Sequence, residues 1–258
     1  MEIAVPIQQI QGFLMVLFRV SGILFFAPIF GSSSIPPSVK ILIALTASLL
    51  FFPAVDPADL VVPNSALLLA VALAGEMLIG VLIGLLGQVI SVAVQYAGRI
   101  LGAHMGLRIA NVLDPQTGIT VSLIGAFFNI VTVLLLLYMN FHIIILRVVR
   151  ESFSIIKPLG VRVGMNAAEV VLRAGSDIYL FAMQVAAPIL AAIFFVEVII
   201  AVLAKMAKQF NMLMLQFPIK ILLGFIFLGA TMRVMPRAVH HMLGSMLDRI
   251  GSLLNFLG

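Results

Sequence analysis

The chain has no cysteine, and only 10% of its 258 residues are charged. Without thiols it forms no disulfide scaffold, thiolate zinc site, iron–sulfur cluster or cysteine nucleophile. Soluble domains carry about 25% charged residues. A chain this poor in charge, 63% hydrophobic and with a mean hydropathy of +1.24, has more apolar surface than a globule of its size hides from water. Lipid is therefore the expected solvent for much of it. Nucleotide-phosphate loops, GxSxG elbows and GxGxxG fingerprints are also missing, so nothing points to an enzyme. His104, His142, His240 and His241 are not spaced as metal ligands, and no metal or cofactor is expected.

Basic residues outnumber acidic ones by 15 to 10, for a net charge of +5 and a pI near 10.0. They are scattered between apolar runs, which favours anionic lipid headgroups over nucleic acid as the counterion. Glu2 is the only early charge and Arg19 sits inside the first apolar run, so the sequence predicts an uncleaved N-terminus.

About 20 apolar residues cross a bilayer as a helix. Measured against that ruler the chain has six runs, at 10–30, 41–55, 66–97, 115–146, 178–196 and 213–232, and reads as an all-α integral membrane protein of about six long, kinked helices. The second run has only 15 residues, whereas the third and fourth have 32. A helix of that length measures about 48 Å against a core of about 30 Å and must tilt, bend or protrude. Pro188 is expected to kink the fifth run. The longest polar connection, Arg147 to Gly175, looks interfacial.

Six alternating spans would place basic loops on one side. Instead Arg99, Arg108, Lys205 and Lys208 fall on one face, while the Arg147–Arg173 connection and the Arg233–Arg249 tail fall on the other. Either one short run does not cross, or the chain sits within a protein assembly.

Glu76, Gly80, Gly84, Gly87 and Ser91 recur at helical spacing and share one face, where small residues let neighbouring helices approach closely. Gly98, Gly102 and Gly106 continue the pattern. Arg19, Glu76 and Glu197 lie deep in apolar runs, where a charge is costly and usually faces protein, a water path or another charge. They fit either a structural ion pair or the relay of a proton-coupled solute carrier, and the sequence does not say which carboxylate meets Arg19. Seven of the 14 methionines crowd the last quarter, as adaptable apolar filler.

The order of motifs adds a resemblance. Phe18-Arg-Val-Ser-Gly22, Ala27-Pro-Ile-Phe-Gly31, Ile35-Pro36 and the Leu49–Pro53 stop come first. Gly75-Glu-Met-Leu-Ile-Gly80 with Gly84, Ala97-Gly98, Met105-Gly-Leu107, Ala110 and Asp114-Pro115 follow. Asn140-Phe-His142, Ser152-Phe153, Pro158-Leu-Gly160, Lys205-Met-Ala207, Gln209 and Phe217-Pro-Ile-Lys220 complete the set. Collinear over nearly the whole chain, it resembles the flagellar biosynthetic protein R family, FliR. Arg99 stands where that family often has an acidic residue, and Lys208 where it commonly has proline.

The resemblance implies a non-enzymatic subunit of the flagellar type III export gate, the channel for unfolded flagellar components, with the homologous injectisome subunit as the alternative. It implies a P-like part at 1–175, a Q-like helical hairpin and tail at 176–258, and a helical multi-subunit gate built with flagellar proteins P and Q. The flagellar B and A membrane proteins and exported unfolded chains are the further partners. The expected location is the inner membrane at the flagellar basal body, with part of the assembly raised towards the periplasm. The family's plug maps onto about 106–120, with Gly106, Leu107, Ile109, Val112, Leu113, Asp114 and Pro115, and Gly102, Gly106 and Gly118 would act as its hinges. Lys205, Lys208, Phe217, Pro218 and Lys220 map onto a cytoplasmic hairpin tip.

Overall fold

In an apolar solvent a backbone must satisfy its own hydrogen bonds, and a chain of long apolar runs with few turn residues does so as helices. The computed structural model describes residues 7–32, 34–54, 65–107, 122–158, 160, 165–206 and 212–258. Among these are eight α-helices and no strand: α1 Ile7–Phe26, α2 Pro37–Phe51, α3 Ala66–His104, α4 Leu123–Tyr138, α5 Phe141–Ile155, α6 Met165–Met206, α7 Met212–Met232 and α8 Met235–Leu257. Pro37 starts α2, where its missing N–H costs nothing, and a 3₁₀ turn at Phe52–Ala54 ends it.

Three helices, α1, α3 and α6, are long and apolar enough to cross a membrane. The pairs α4–α5 and α7–α8 qualify only jointly, each bent at a short break, by 67° and 58°. Among the described residues there are thus three to five candidate spans where six runs were expected: α2, with 15 residues, is too short, and each bent pair counts only if it crosses as one span. The 115–146 run breaks at Asn140, whose left-handed φ of 56° interrupts the helix. The supposed connection from Arg147 to Gly175 is largely helical, the end of α5 and the start of α6. Periodicity explains this: Phe141, Ile145, Val148, Val149 and Ser152 of α5 are buried while Arg147, Arg150 and Glu151 face outward. The Arg233–Arg249 tail lies mostly in the amphipathic α8. Pro188 lies within α6, which continues to Met206.

The chain forms two compact units, each discontinuous in sequence. The first comprises 1–89, 137–175 and 244–258. Its core joins Met15, Val16 and Val20 of α1 to Ile79 and Ile83 of α3, Ile145 and Val149 of α5, and Leu253 and Leu257 of α8. Helices α1 and α3 touch backbone to backbone. A Cβ on Gly22 would lie 2.8 Å from the Met77 carbonyl oxygen and 2.9 Å from Gly80 Cα, and one on Gly84 would lie 2.7 Å from Phe26 Cβ. Gly87 sits beside Pro28 and the Phe141 ring.

The second unit comprises 90–136 and 176–243. It repeats the device, since a Cβ on Gly98 of α3 would lie 2.7 Å from Gly125 Cα of α4. Ser122 Oγ donates to the Gly98 carbonyl at 3.4 Å and accepts the Gly125 N–H at 3.1 Å. Ser91 is buried in this unit, and its hydroxyl has no hydrogen-bond partner among the described residues.

A side chain at Gly80 or Gly98 would push backbone against backbone. Gly80→Ala or Gly98→Ala is expected to cost about 1–3 kcal/mol by overpacking, read as a lower melting temperature in detergent. Gly229→Ala, whose Cβ meets nothing within 4 Å, is the neutral control.

Candidate functional site

Arg19 is fully buried, so each N–H of its guanidinium needs a partner. Nε donates to Glu76 Oε2 at 2.5 Å. Nη1 donates to the carbonyl oxygens of Ser152 at 2.8 Å and Ile156 at 2.9 Å. Those oxygens lie at the C-terminal end of α5, where the helix dipole favours a cation; the Ser152 oxygen also accepts the Ile156 N–H at 3.0 Å, so Arg19 takes its second lone pair. The guanidinium also lies over the Phe153 ring, 4.3 Å from its centroid. Nη2 is buried without a hydrogen-bond partner among the described residues. One side chain thus fastens α1 to α3 through a carboxylate and to α5 through its backbone.

In the second unit the end of α3 is equally well defined. Gly106 has φ +78°, its N–H donates to Ala103 O at 3.2 Å, and the Leu107 N–H donates to Gly102 O at 3.2 Å. This is the Schellman pattern, in which a left-handed glycine lets the last carbonyls be paired. A Cβ on Gly102 would lie 3.1 Å from Ser122 Oγ, so both stems of the 108–121 segment meet at Gly102. On the other side α7 closes over the turn: a Cβ on Gly106 would lie 3.0 Å from Phe217 Cδ1, and one on Gly224 would lie 2.5 Å from Met105 Cε. Lys220 Nζ of α7 donates to Glu197 Oε1 of α6 at 2.7 Å.

The structure therefore brings Arg19 and Glu76 together and gives Glu197 a different cation, Lys220. Glu197 is not a buried charge: its side chain is 39% exposed, being at the side of α6 where the long Lys220 arm reaches it. Gly80 and Gly84 face α1, and Gly87 faces Pro28 and Phe141. Gly106 and Leu107 close α3, while Ile109, Val112, Leu113, Asp114, Pro115 and Gly118 lie outside the described residues, as does Lys208. Of the residues assigned to a hairpin tip, Lys205 belongs to α6 and Phe217, Pro218 and Lys220 to α7. Sequence reasoning missed the Ser152 and Ile156 carbonyls and the Phe153 ring. Backbone oxygens leave no residue-type signal, although Ser152-Phe153 did stand among the motifs.

Comparison with known proteins gives a consistent result. Residues 10–246 match the family described as bacterial export proteins, family 1. The chain is 30% identical over 251 residues to the flagellar biosynthetic protein FliR of Bacillus subtilis, covering 96% of each chain. It is 26% identical over 242 residues to FliR of Escherichia coli K12, covering 93% of this chain and 92% of the relative. It is 26% identical over 233 residues to the surface presentation of antigens protein SpaR of Shigella sonnei, covering 87% and 88%.

Arg19→Met removes the cation that pairs with buried Glu76 and with the carbonyls ending α5, and is expected to destabilise the protein by about 3–5 kcal/mol. Arg19→Met with Glu76→Leu removes both charges and should recover much of that loss. Thermal melting of the two variants in detergent, compared with the parent, measures the difference.

Proposed function

The chain belongs to the bacterial export proteins, family 1, and from that premise we propose that it is a subunit of the flagellar type III export gate, the membrane channel through which unfolded flagellar components leave the cytoplasm. The observation that carries this reading is similarity to a flagellar biosynthetic protein over 96% of this chain and 96% of that relative. Its helices suit the role. Three are long and apolar enough to cross a membrane, and large apolar side chains such as Leu180, Phe194, Phe195 and Ile199 of α6 stand exposed, as expected of a subunit covered by lipid or neighbours.

In this reading the gate is a helical assembly with the flagellar P and Q proteins in the inner membrane at the basal body, partly raised towards the periplasm. The flagellar B and A membrane proteins complete the apparatus. Residues 1–175 are the P-like part and 176–258 the Q-like hairpin and tail. The segment from Gly106 to about 120 is the plug, and its Leu107, Ile109, Val112 and Leu113 form an apolar constriction that excludes water and ions without a charge barrier. Lys205 and Lys208 flank a cytoplasm-facing turn. The likeness to SpaR supports a second reading, a subunit of a different protein export system. A solute carrier relaying protons between Glu76 and Glu197 has less support, because each carboxylate is engaged by its own cation.

Cells lacking this chain are expected to lose motility and secretion of flagellar subunits. Native mass spectrometry of the detergent-extracted complex should find it with two other small membrane proteins. A lone chain that transports a solute in liposomes would sink the reading. Replacing Leu107, Ile109, Val112 and Leu113 together by serine should raise ion permeability of the reconstituted complex at least tenfold, and unchanged conductance argues against the plug.

A further inference from the structure

Helix α2 is built with its large side chains outward. Ala44, Ala47 and Ser48 are buried, whereas Ile41, Leu42, Leu45, Leu49 and Leu50 are exposed. Such a helix docks on its neighbour through small residues and turns its bulk to an apolar surrounding, the reverse of a helix that covers a core in water. From Ile41 to Phe51 its only polar side chains are Thr46 and Ser48, and both hydroxyls donate to carbonyls one turn back, Leu42 O at 2.9 Å and Ala44 O at 2.6 Å. A protein partner ordinarily exchanges hydrogen bonds across its interface. The side chains of this face offer none, which suits hydrocarbon.

Helix α2 returns along α1, so that Phe13 meets Phe52 edge to face with ring centroids 5.8 Å apart. Between these two helices and α3 lies a cleft of about 240 Å³, lined by Leu17, Ser21 and Phe25 of α1, Ile41 and Leu45 of α2 and Met77 of α3, among others. Ser21 brings its one polar side chain. From Leu17 to Phe25 the cleft follows α1 for about 12 Å. Because α1 and α3 are long and apolar enough to cross a membrane, the open side of the cleft faces acyl chains where those helices cross.

One end of the cleft carries a charge. Ala44 lines the cleft, and Lys40 stands one turn before it on the same face of α2. Lys40 Nζ donates to Gly31 O at 3.0 Å, which ties it to the connection between α1 and α2, and no carboxylate pairs with it among the described residues. That connection is shaped rather than slack: the Gly31 N–H donates to Ala27 O at 2.8 Å, and Ile29 is held at φ 76°, costly for a β-branched residue. A cation is thus fixed at the end of an apolar slot.

We propose that this cleft binds one anionic phospholipid, with an acyl chain between α1, α2 and Met77 and the phosphate at Lys40. The lipid fills the gap that the small residues of α2 leave beside α1, and its charge answers the unpaired lysine. The site requires only that α1 and α3 lie in the bilayer, whichever export system the chain serves.

The test places the full complex in phosphatidylcholine vesicles containing a small fraction of phosphatidylglycerol with a diazirine on its acyl chain, or the same amount of phosphatidylcholine carrying that chain. After irradiation, adducts on residues 17–25 and 41–45 are mapped by peptide mass spectrometry. The expected result is about fivefold more adduct from phosphatidylglycerol, the preference that one lysine confers for an anionic surface. K40Q should make the two lipids equal, and S21L, which fills the slot and leaves Lys40 in place, should remove most of the adduct. Equal labelling of the parent by both lipids is the contact of any lipid-facing helix and overturns the site. Labelling of exposed Leu180 and Phe194 of α6 without labelling of the cleft means that a neighbouring subunit covers it, and overturns the site equally. A preference that persists in K40Q overturns the place of the headgroup. Should K40Q fail to assemble, S21L decides, and undiminished adduct in S21L overturns the place of the acyl chain.

Discussion

A guanidinium cannot be left bare in an apolar interior, and the first unit is arranged around satisfying one. Removing an unpaired ion from water costs several kcal/mol even after relaxation, so Arg19 is tolerable only because carboxylate, carbonyl and ring all converge on it. Glu76 comes from α3, the two carbonyls from α5, and the π-face from Phe153. Each partner fixes a different element, which makes the cation a determinant of which helices meet, beyond any net stability it adds. The glycine seam is the other half of the same arrangement. Gly22 and Gly80 allow α1 and α3 to approach until their backbones touch, and Glu76 stands one turn from Gly80, on the side facing Arg19.

The helices were legible in the sequence because apolar runs between Pro- and Gly-rich turns have few other solutions. Their ends were not. Helices α5 and α8 continue as amphipathic structure through Arg147, Arg150, Arg237 and Arg249, and a search for uncharged runs stops at the first arginine. Likewise α6 begins at Met165, well before the run that marks its apolar part. Asn140 was visible as a motif residue, but only a left-handed φ turns it into the break between α4 and α5.

The site was legible in its residue types more than in its pairings. Arg19, Glu76 and Glu197 stood out as charges in apolar company, yet their division into two separate pairs depends on helix packing. The Ser152 carbonyl that Arg19 reaches is 133 positions away. Glycines posed the opposite difficulty. Gly102 and Gly106 read equally well as freedom or as room, and the fold uses one of each: Ser122 lies over Gly102 where a side chain would stand, while Gly106 takes the left-handed φ of a Schellman cap.

The charge pattern that resists a six-span reading is not reconciled by the helix bounds. Removing the short α2 from the count moves every later loop to the opposite side together, and because all four basic segments follow α2 they stay divided as before. Helix α6 shows the same division within one element. That helix runs unbroken from Met165 to Met206, carries Arg173 near its start and Lys205 near its end, and has between them an apolar stretch long enough to cross. If α6 spans the bilayer, basic residues lie at both of its ends, however many other helices cross. A lone protein inserted by the positive-inside rule would avoid that arrangement. A subunit whose helix ends are neutralised or enclosed by neighbouring chains has no such constraint. Of the two explanations for the failed alternation, a short non-crossing run is thus insufficient, and the other is consistent with the export family to which the chain belongs.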